Sequence, residues 1–201
     1  MRKGILFVLT APSGAGKTTL LDMLLRAVPL LEYSVSVTTR PPRRGEVDGE
    51  DYSFTTRAEF EKLLAEGEFL EHAVVYDNYY GTRRSVIERA LSAGKDIILD
   101  IDARGALQVM EKNYPAVCVY IMPPSIEELE KRLKGRKTDS EEVIRKRLSL
   151  AREEMGYAER YDYVVVNDDL QAAFEGLRAI ILAERLRVAR SLEEIERIAR
   201  G

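Results

Sequence analysis

Four short runs of the chain are continuously apolar instead of alternating between apolar and polar positions. The runs are "GILFVLTA" (4–11), "DIILDID" (96–102), "AVCVYIM" (116–122) and "YVVVND" (163–168). Continuous runs of this length are typical of strands that are buried on both faces of a parallel sheet. We therefore predict that these four segments form a central sheet.

Segments with a helical spacing of apolar residues separate the four runs. The spacing predicts helices over 17–27, 83–94 and 125–133, and one long helix over 170–190 that packs on the sheet. Strands that alternate with helices in this way indicate an α/β fold, in which helices flank a parallel sheet on both faces.

Two segments depart from this alternation. Residues 34–82 are polar and rich in Arg, Tyr and Gly, with β-like pieces around one predicted helix, "TRAEFEKLLAEG". Residues 125–158 are highly charged, and their second helix is predicted to start at a capping box, Thr138 to Glu141 or Asp139 to Glu142. The charged segment is either a solvated helical face or a mobile flap over a site.

Composition and charge narrow the class of protein. A chain of 201 residues, 45% of them hydrophobic, suits one compact domain or a core with insertions. The net charge of −3 gives no basic bias for nucleic acid or anionic membranes. No apolar run approaches the roughly 18 residues that span a bilayer, and the short apolar stretch near the start favours a first strand over a signal peptide. We expect a cytoplasmic protein.

The chain contains a single cysteine, Cys118, which rules out a disulfide within the chain. Cys118 lies inside the third apolar run, so we expect a buried and inert thiol instead of a reactive one.

The first apolar run leads into the loop "APSGAGKT" (11–18). A phosphate-binding P-loop reads G-x-x-x-x-G-K-[ST] between a strand and a helix. Its backbone N–H groups turn toward phosphate oxygens, and the next helix points its positive end at the same anion. Lys17 can reach the β- and γ-phosphates, and the Thr18 hydroxyl can ligate Mg²⁺. The predicted ATP-binding loop comprises Ala11, Pro12, Ser13, Gly14, Ala15, Gly16, Lys17 and Thr18.

The first motif position holds Ala11 in place of glycine. Alanine strongly disfavours a positive φ, so either this position needs none or the loop is strained. The loop predicts a bound nucleoside triphosphate with Mg²⁺, but GTPases, ATPases and small-molecule kinases all share it.

A second candidate site lies in the polar segment. Arg40 and Arg43, in "TTRPPRR", offer planar forks to a dianionic monophosphate, and Tyr52 and Tyr80 can add hydroxyl donors. The alternative is a basic surface turn.

Longer stretches resemble a known family. The stretches "TTRPPRRGEVDGEDY", "GEFLEHA", "NYYGT", "ILDIDARG" and "YDYVVVNDD", together with the P-loop, closely resemble the guanylate kinase family over essentially the whole chain. That family phosphorylates GMP with ATP. The resemblance implies a single P-loop NTPase-type domain with a core (about 1–33, 83–124 and 159–201), an inserted mixed α/β GMP-binding region (about 34–82) and a helical lid (about 125–158).

The resemblance also implies GMP, and dGMP with it, and ATP as small-molecule substrates, Mg²⁺ as cofactor, and direct in-line transfer in purine nucleotide metabolism. It implies no nucleic-acid or membrane partner and leaves a homo-oligomer open. The rivals are a scaffold domain that has lost catalysis, a kinase for another small molecule, and a regulatory GTPase. The first would lack the P-loop or lid residues, and the last would need an NKxD-type motif, which "VNDD" is not.

Roles for individual residues follow from the same resemblance. Arg40, Arg43, Tyr52 and Tyr80 form the clamp for the GMP phosphate. Glu71 matches the carboxylate that reads guanine, whose N1–H and N2–H₂ donors one carboxylate can accept together. Ser36 matches a hydroxyl that addresses the base, and Thr82 keeps a small hydroxyl residue at a family position. Without the family match, the residues predict that Glu71 is a solvated acid at the edge of a helix. We assign no role to His72.

Two acids and three further residues complete the candidate site. Asp100 and Asp102 stand at the carboxyl end of a predicted strand, where doubly wound sheets bind ligands. The family match assigns them to the GMP site and the magnesium surroundings, and the alternative is an acid that caps the next helix. Arg136 and Arg147 match lid arginines that contact the transferred phosphoryl group. Together with Lys17 and Arg43, they are the predicted catalytic residues. Asn167 matches a contact region for the donor adenine. Arg132 lies in the same charged segment, and the alternative for it is a surface salt bridge.

Overall fold

The computed structural model describes residues 3–75, 77–135 and 139–200, which form two sheets and the helices around them. The strands are β1 (Leu6–Thr10), β2 (Leu31–Tyr33), β3 (Val37–Thr38), β4 (Ser53–Phe54), β5 (Phe69–Val75), β6 (Asn78–Arg83), β7 (Asp96–Asp100), β8 (Ala116–Met122) and β9 (Tyr163–Val166). The helices are α1 (Lys17–Ala27), α2 (Arg57–Ala65), α3 (Arg84–Ser92), α4 (Ala103–Glu111), α5 (Ile126–Gly135), α6 (Glu141–Met155), α7 (Leu170–Arg185) and α8 (Val188–Ala199).

The larger sheet has the order β2-β7-β1-β8-β9, and all its neighbouring strands are parallel. Apolar residues of α1 and α7 cover one face, including Leu20, Leu24 and Phe174. Ile87 of α3 and Val109 of α4 belong to the cluster on the other face. The predicted α/β class, with a parallel sheet between layers of helices, is confirmed.

Strand β9 differs from the prediction that all four apolar runs are buried on both faces. Val164 and Val166 are 47% and 51% exposed, whereas Val165 between them is buried. The strand lies at the edge of the sheet, where only the face toward α7 is covered. The run is apolar on both faces although one of them is open to solvent.

The C-terminal helix predicted over 170–190 is wrong, because the structure has two helices there. Helix α7 ends at Arg185, and Arg187 adopts an extended ψ of 133° before α8 begins. Buried Glu184 accepts a 2.7 Å hydrogen bond from the Tyr163 hydroxyl and forms ion pairs with Arg187 and Arg190. These charges hold the turn, and apolar periodicity does not reveal them.

The smaller sheet comes from the inserted segment 34–82 and has the order β4-β3-β6-β5. Its β3–β4 pair is parallel and its other two pairs are antiparallel, which makes the sheet mixed. Helix α2 packs on it through Phe60, whose ring stacks on Phe69 at 4.2 Å and on Tyr79 at 5.0 Å between centroids. The Thr56 hydroxyl caps this helix by accepting from the Glu59 amide.

Helices α5 and α6 of the charged segment pack on each other through a small apolar cluster that includes Leu129, Leu133 and Leu148. The N-cap of α6 is Ser140, whose hydroxyl accepts from the Val143 amide, so the predicted Asp139–Glu142 capping box is wrong. Thr138, the start of the other predicted box, lies outside the described residues.

The structure bears on two expectations from the sequence, the burial of Cys118 and the absence of a membrane-spanning helix. Cys118 is buried, as predicted, and burial raises the pKa of its thiol to about 12. Among the helices of the described residues, each is too short or too polar to cross a bilayer.

A buried ion pair joins the start of β7 to the end of α7. Asp96, which is fully buried, accepts from the Ile5 amide at 2.9 Å and from the Arg185 guanidinium at 2.7 Å. We expect Asp96→Ala to lower the free energy of unfolding by about 3–5 kcal/mol, because it strands the Arg185 charge and the Ile5 amide. Urea unfolding followed by circular dichroism measures this loss.

Glu175→Ala is the matched control for that measurement. It breaks the exposed Glu175–Arg178 pair and should cost less than about 1 kcal/mol. Equal losses in the two variants would contradict a special contribution from the buried pair.

Candidate functional site

The loop between β1 and α1 takes the shape of an anion-binding turn. Its positive φ values fall on Gly14 (98°) and Gly16 (91°). Ala11 is not in the left-handed region, so alanine at the first motif position introduces no backbone strain. Helix α1 begins at Lys17, directly after Gly16.

Both glycines also lie against other parts of the chain. A Cβ on Gly14 would stand 3.0 Å from Leu129 Cδ1, and a Cβ on Gly16 would collide with the side-chain amide of Asn167. The loop therefore needs glycine at these positions for space as well as for conformation.

Asn167 supports the loop from the end of β9. It is only 4% exposed, and its side-chain amide donates a 2.7 Å hydrogen bond to the Ala15 carbonyl. Arg132 of α5 donates to the Asn167 carbonyl at 3.1 Å and pairs with Glu128 at 3.3 Å. Sequence reasoning assigned Asn167 to the adenine and left Arg132 as a surface residue, and in the structure both contribute to one support beneath the loop.

The Lys17 amine lies at the carboxyl end of β7. It forms an ion pair with the Asp100 carboxylate and donates to the Ile101 carbonyl at 3.3 Å. The structure thus joins the cation of the loop to the last residue of β7, which was predicted to be part of the site.

Asp102 has a different task from Asp100. Its carboxylate caps α4 by accepting a 2.8 Å hydrogen bond from the Gly105 amide. The alternative reading, an acid at a strand end that caps the next helix, therefore describes Asp102 but not Asp100. Asp102 also lines the cavity beside the P-loop.

A cavity of about 370 Å³ lies over the P-loop. From α6, Arg147 reaches into it, with its guanidinium 3.4 Å from the Ser13 hydroxyl and 3.2 Å from the Asp139 carboxylate. Arg136, the other predicted lid arginine, lies outside the described residues. The lining residues are Ala11, Pro12, Ser13, Gly14, Gly16, Lys17, Thr18, Thr19, Asp102, Arg147, Leu150 and Glu154.

Sequence reasoning missed Glu154, which faces this cavity from the same helix as Arg147. Burial and the nearby Asp102 charge raise the pKa of the Glu154 carboxyl, while Lys17 opposes the shift. Residues 147, 150 and 154 share one face of α6, so helical spacing counted from Arg147 could have found this carboxylate.

The second predicted constellation is centred on Glu71 of β5. Glu71 is 5% exposed, and the Thr82 hydroxyl of β6 donates a 2.7 Å hydrogen bond to its Oε1. Burial raises the pKa of the Glu71 carboxyl, and the Thr82 hydroxyl partly offsets this. The reading of Glu71 as a solvated helix-edge acid is wrong, because the residue is a buried strand acid with a hydroxyl partner. Ser36, half-buried, lies just before β3.

Arginine and tyrosine side chains form a third group at the edge of the smaller sheet. The Arg40 guanidinium makes a bidentate pair with Glu46 at 2.8 and 3.0 Å and lies 5.3 Å from the centroid of the Tyr52 ring. The rings of Tyr52 and Tyr80 meet at 5.9 Å. Arg43 is exposed, and its amide donates to Glu46 at 2.7 Å. Glu46, which sequence reasoning missed, therefore holds the guanidinium of Arg40 and the backbone of Arg43.

The sequence as a whole matches a known family. A sequence model of the family described as "Guanylate kinase" matches residues 3–184. The chain belongs to the guanylate kinase family. Guanylate kinases are nucleoside monophosphate kinases, so the protein is an enzyme of the transferase class.

Named relatives agree over nearly the full length. The chain is 51% identical over 192 residues to a guanylate kinase of Rhodopseudomonas palustris (strain HaA2), covering 95% of this chain and 87% of the relative. It is 48% identical over 198 residues to a guanylate kinase of Methylococcus capsulatus, covering 98% and 97%. The crystal structure of guanylate kinase from Anaplasma phagocytophilum aligns with a TM-score of 0.75 and 36% identity, over 96% of this chain and 94% of that one.

Proposed function

We propose that the protein transfers the γ-phosphoryl group of ATP to GMP, and to dGMP, and so forms ADP and GDP or dGDP. The observation that carries the proposal is the buried Glu71 carboxylate, aligned by Thr82 in the inserted sheet. Guanine offers two adjacent donors that one carboxylate can accept, whereas adenine offers an acceptor at N1, which a carboxylate repels. Family membership supports the same substrate pair.

ATP binds over the P-loop in this proposal. The cavity above the loop is lined by Lys17 and by the first turn of α1, whose N–H groups and dipole favour phosphate oxygens. Lys17 exchanges its Asp100 partner for the β- and γ-phosphates when ATP enters.

Magnesium fits the residues around the loop. The exposed Thr18 hydroxyl and the Asp102 carboxylate both line the cavity. Within residues 3–75, 77–135 and 139–200, no cluster of three or more His, Cys, Asp or Glu side chains forms a metal cage. Mg²⁺ commonly completes its shell with phosphate oxygens and water, so Thr18 would be the direct protein ligand and Asp102 would hold a coordinated water. When bound, the ion neutralises phosphate charge.

GMP binds in the inserted region, about residues 34–82. Arg40 and Arg43 hold its phosphate together with the hydroxyls of Tyr52 and Tyr80. Glu46 orients the Arg40 guanidinium beforehand and fixes the backbone at Arg43. Glu71, with Ser36 and Thr82, reads the guanine.

Transfer proceeds in line without a covalent enzyme intermediate. An oxygen of the GMP phosphate forms a bond to the γ-phosphorus as the bond to the β–γ bridging oxygen breaks, and ADP leaves with that oxygen. Arg147 and Arg136, from the lid at about 125–158, stabilise the charge on the moving group. Lid closure over the core, about residues 1–33, 83–124 and 159–201, excludes the water that would hydrolyse ATP.

A substrate panel tests the proposal. The enzyme receives GMP, dGMP, AMP, UMP or CMP singly with ATP and Mg²⁺, and ADP release is measured. GMP and dGMP should be turned over far faster than the other three. A preference for AMP or a pyrimidine nucleotide would refute the proposed substrate.

Arg147→Ala is expected to lower kcat by at least about 10²-fold while changing the KM for GMP little. The guanidinium lies 3.4 Å from the Ser13 hydroxyl of the P-loop. From there, in the proposed mechanism, it stabilises charge that develops in the transition state. Steady-state kinetics with both substrates varied measures the two constants, and Arg136→Ala should act in the same direction.

Arg145→Ala is the matched control, because Arg145 is exposed on the same helix and does not line the cavity. It should leave kcat unchanged. A rise in the KM for GMP without a fall in kcat in Arg147→Ala would make Arg147 a ground-state binder and contradict its role in the transition state.

A further inference from the structure

Helix α4 covers an open edge of the smaller sheet. Strand β5 is the last strand in the order β4-β3-β6-β5, so within the described part of the chain no strand pairs with its outer backbone groups. The Gln108 side chain takes the place of one: it accepts from the His72 amide at 3.1 Å and donates to the His72 carbonyl at 2.8 Å. Lys112 donates to the Leu70 carbonyl at 2.7 Å. These bonds hold the backbone on both sides of Glu71.

Gly105 lies on the same face of α4, three residues before Gln108 and seven before Lys112. A Cβ at this position would stand 2.9 Å from Glu71 Oε2, closer than real Cβ contacts. The Gly105 amide also donates to Asp102, which fixes the glycine at the start of the helix. The second oxygen of Glu71 therefore occupies space that any side chain at residue 105 would fill.

The two oxygens of Glu71 are thus held in different ways. Oε1 accepts the hydrogen bond of Thr82, and Oε2 rests against the bare backbone of Gly105. A carboxylate that accepts two adjacent donors of a flat base must keep both oxygens in the plane of that base, so displacement of Oε2 weakens one of the two bonds.

We propose that Gly105 and Gln108 are positioning residues for guanine recognition: Gly105 leaves the space that sets the plane of the Glu71 carboxylate, and Gln108 anchors the strand that carries it. The inference rests on the proposed function and names residues outside the binding site that determine its base specificity. Neither residue needs to touch the nucleotide.

Gly105→Ala tests the proposed role of Gly105. The atom that a Cβ would meet is the end of a flexible side chain, so the carboxylate moves and the backbone stays, and alanine favours a helix over glycine by about 1 kcal/mol. We expect the KM for GMP to rise by about tenfold or more, the GMP-to-AMP ratio of kcat/KM to fall, and the KM for ATP to stay within about twofold.

Gly176→Ala is the matched control, because this helical glycine of α7 has its nearest Cβ neighbour at 3.9 Å. It should change none of these constants. A Gly105→Ala enzyme whose KM for GMP and GMP-to-AMP ratio equal those of the wild type would overturn the inference for Gly105.

A double-mutant cycle separates positioning from general structural damage. In a Glu71→Gln background, Gly105→Ala should have little further effect on the KM for GMP, because its target group is already altered. Independent effects that multiply would mean that Gly105 acts through another group, and the inference would fail.

Gln108→Leu tests the proposed role of Gln108 in anchoring β5. It also keeps the inference testable if Gly105→Ala does not fold. Leucine keeps the approximate size of the side chain and removes both bonds to His72, so the same rise in the KM for GMP is expected, with the KM for ATP retained. Parallel changes in both KM values would refute a specific role. A wild-type enzyme that does not phosphorylate GMP would instead refute the proposed function, so the two failures are distinguishable.

Discussion

Lys17→Ala is expected to lower kcat by about 10²–10³ while leaving the fold intact. The amine lies at the carboxyl end of β7, where it pairs with Asp100 and borders the cavity over the P-loop. Its loss removes a cation from the site of phosphoryl transfer and leaves the Asp100 carboxylate beside the phosphates. ADP release at saturating GMP and ATP measures the loss, and the melting temperature checks the fold.

The double variant Lys17→Ala/Asp100→Asn separates these two effects. If repulsion by Asp100 contributes, neutralising it should recover part of the lost rate. Lys95→Ala, which removes a half-exposed lysine paired with Glu32, should leave kcat unchanged. Near-normal kcat in Lys17→Ala would remove the P-loop from the proposed mechanism.

Glu71→Gln is expected to shift base selectivity more than any other single change. A site that pairs a substrate's polar groups can reject an analogue lacking them by roughly 10⁴–10⁵. In the variant, the amide oxygen keeps the hydrogen bond from Thr82, which places the NH₂ group where Oε2 lies beside Gly105. That NH₂ donor then faces a donor of guanine. We expect kcat/KM for GMP to fall steeply and the value for AMP to rise relative to it.

Measurement of kcat/KM for GMP and AMP in both proteins tests this prediction. Glu66→Gln supplies the control, because this glutamate is exposed at the end of α2. If the GMP-to-AMP ratio were unchanged in Glu71→Gln, another residue would read the base, with Asp102 as the next candidate.

The parts of the fold that could be predicted are those that local pattern determines. Strands β1, β7 and β8 are apolar on both faces because the sheet is covered on both faces there, and the predicted bounds of α1 agree with the structure. The P-loop was equally readable, since its glycines meet a conformational demand of the loop itself.

The parts that could not be predicted depend on residues distant in the chain. Strand β2 has only three residues and forms by pairing with β7, which lies more than sixty positions later. The turn after α7 depends on buried Glu184. The sequence alone could not decide whether Asp102 caps α4 or belongs to the ligand site, because the cap is a bond to the Gly105 amide that only the folded chain shows. Glu46 and Gln108 gain their importance from partners that only the folded chain reveals.

The central place of β1 has a consequence for biosynthesis. This strand leaves the ribosome first among those of the larger sheet, but Leu6 pairs with Ile97 on one side and with Ala116 on the other. At a synthesis rate of about 5–20 residues per second, β1 waits roughly 5–20 s before both neighbours exist. Until β7 is made, the apolar residues of β1 have no partner strand in the larger sheet, and until β8 is made only one edge of β1 can pair. We expect chaperones or transient burial to protect these residues from aggregation in that interval. The high sequence separation of these contacts also slows refolding of the complete chain, because long loops must close before the sheet gains its stability.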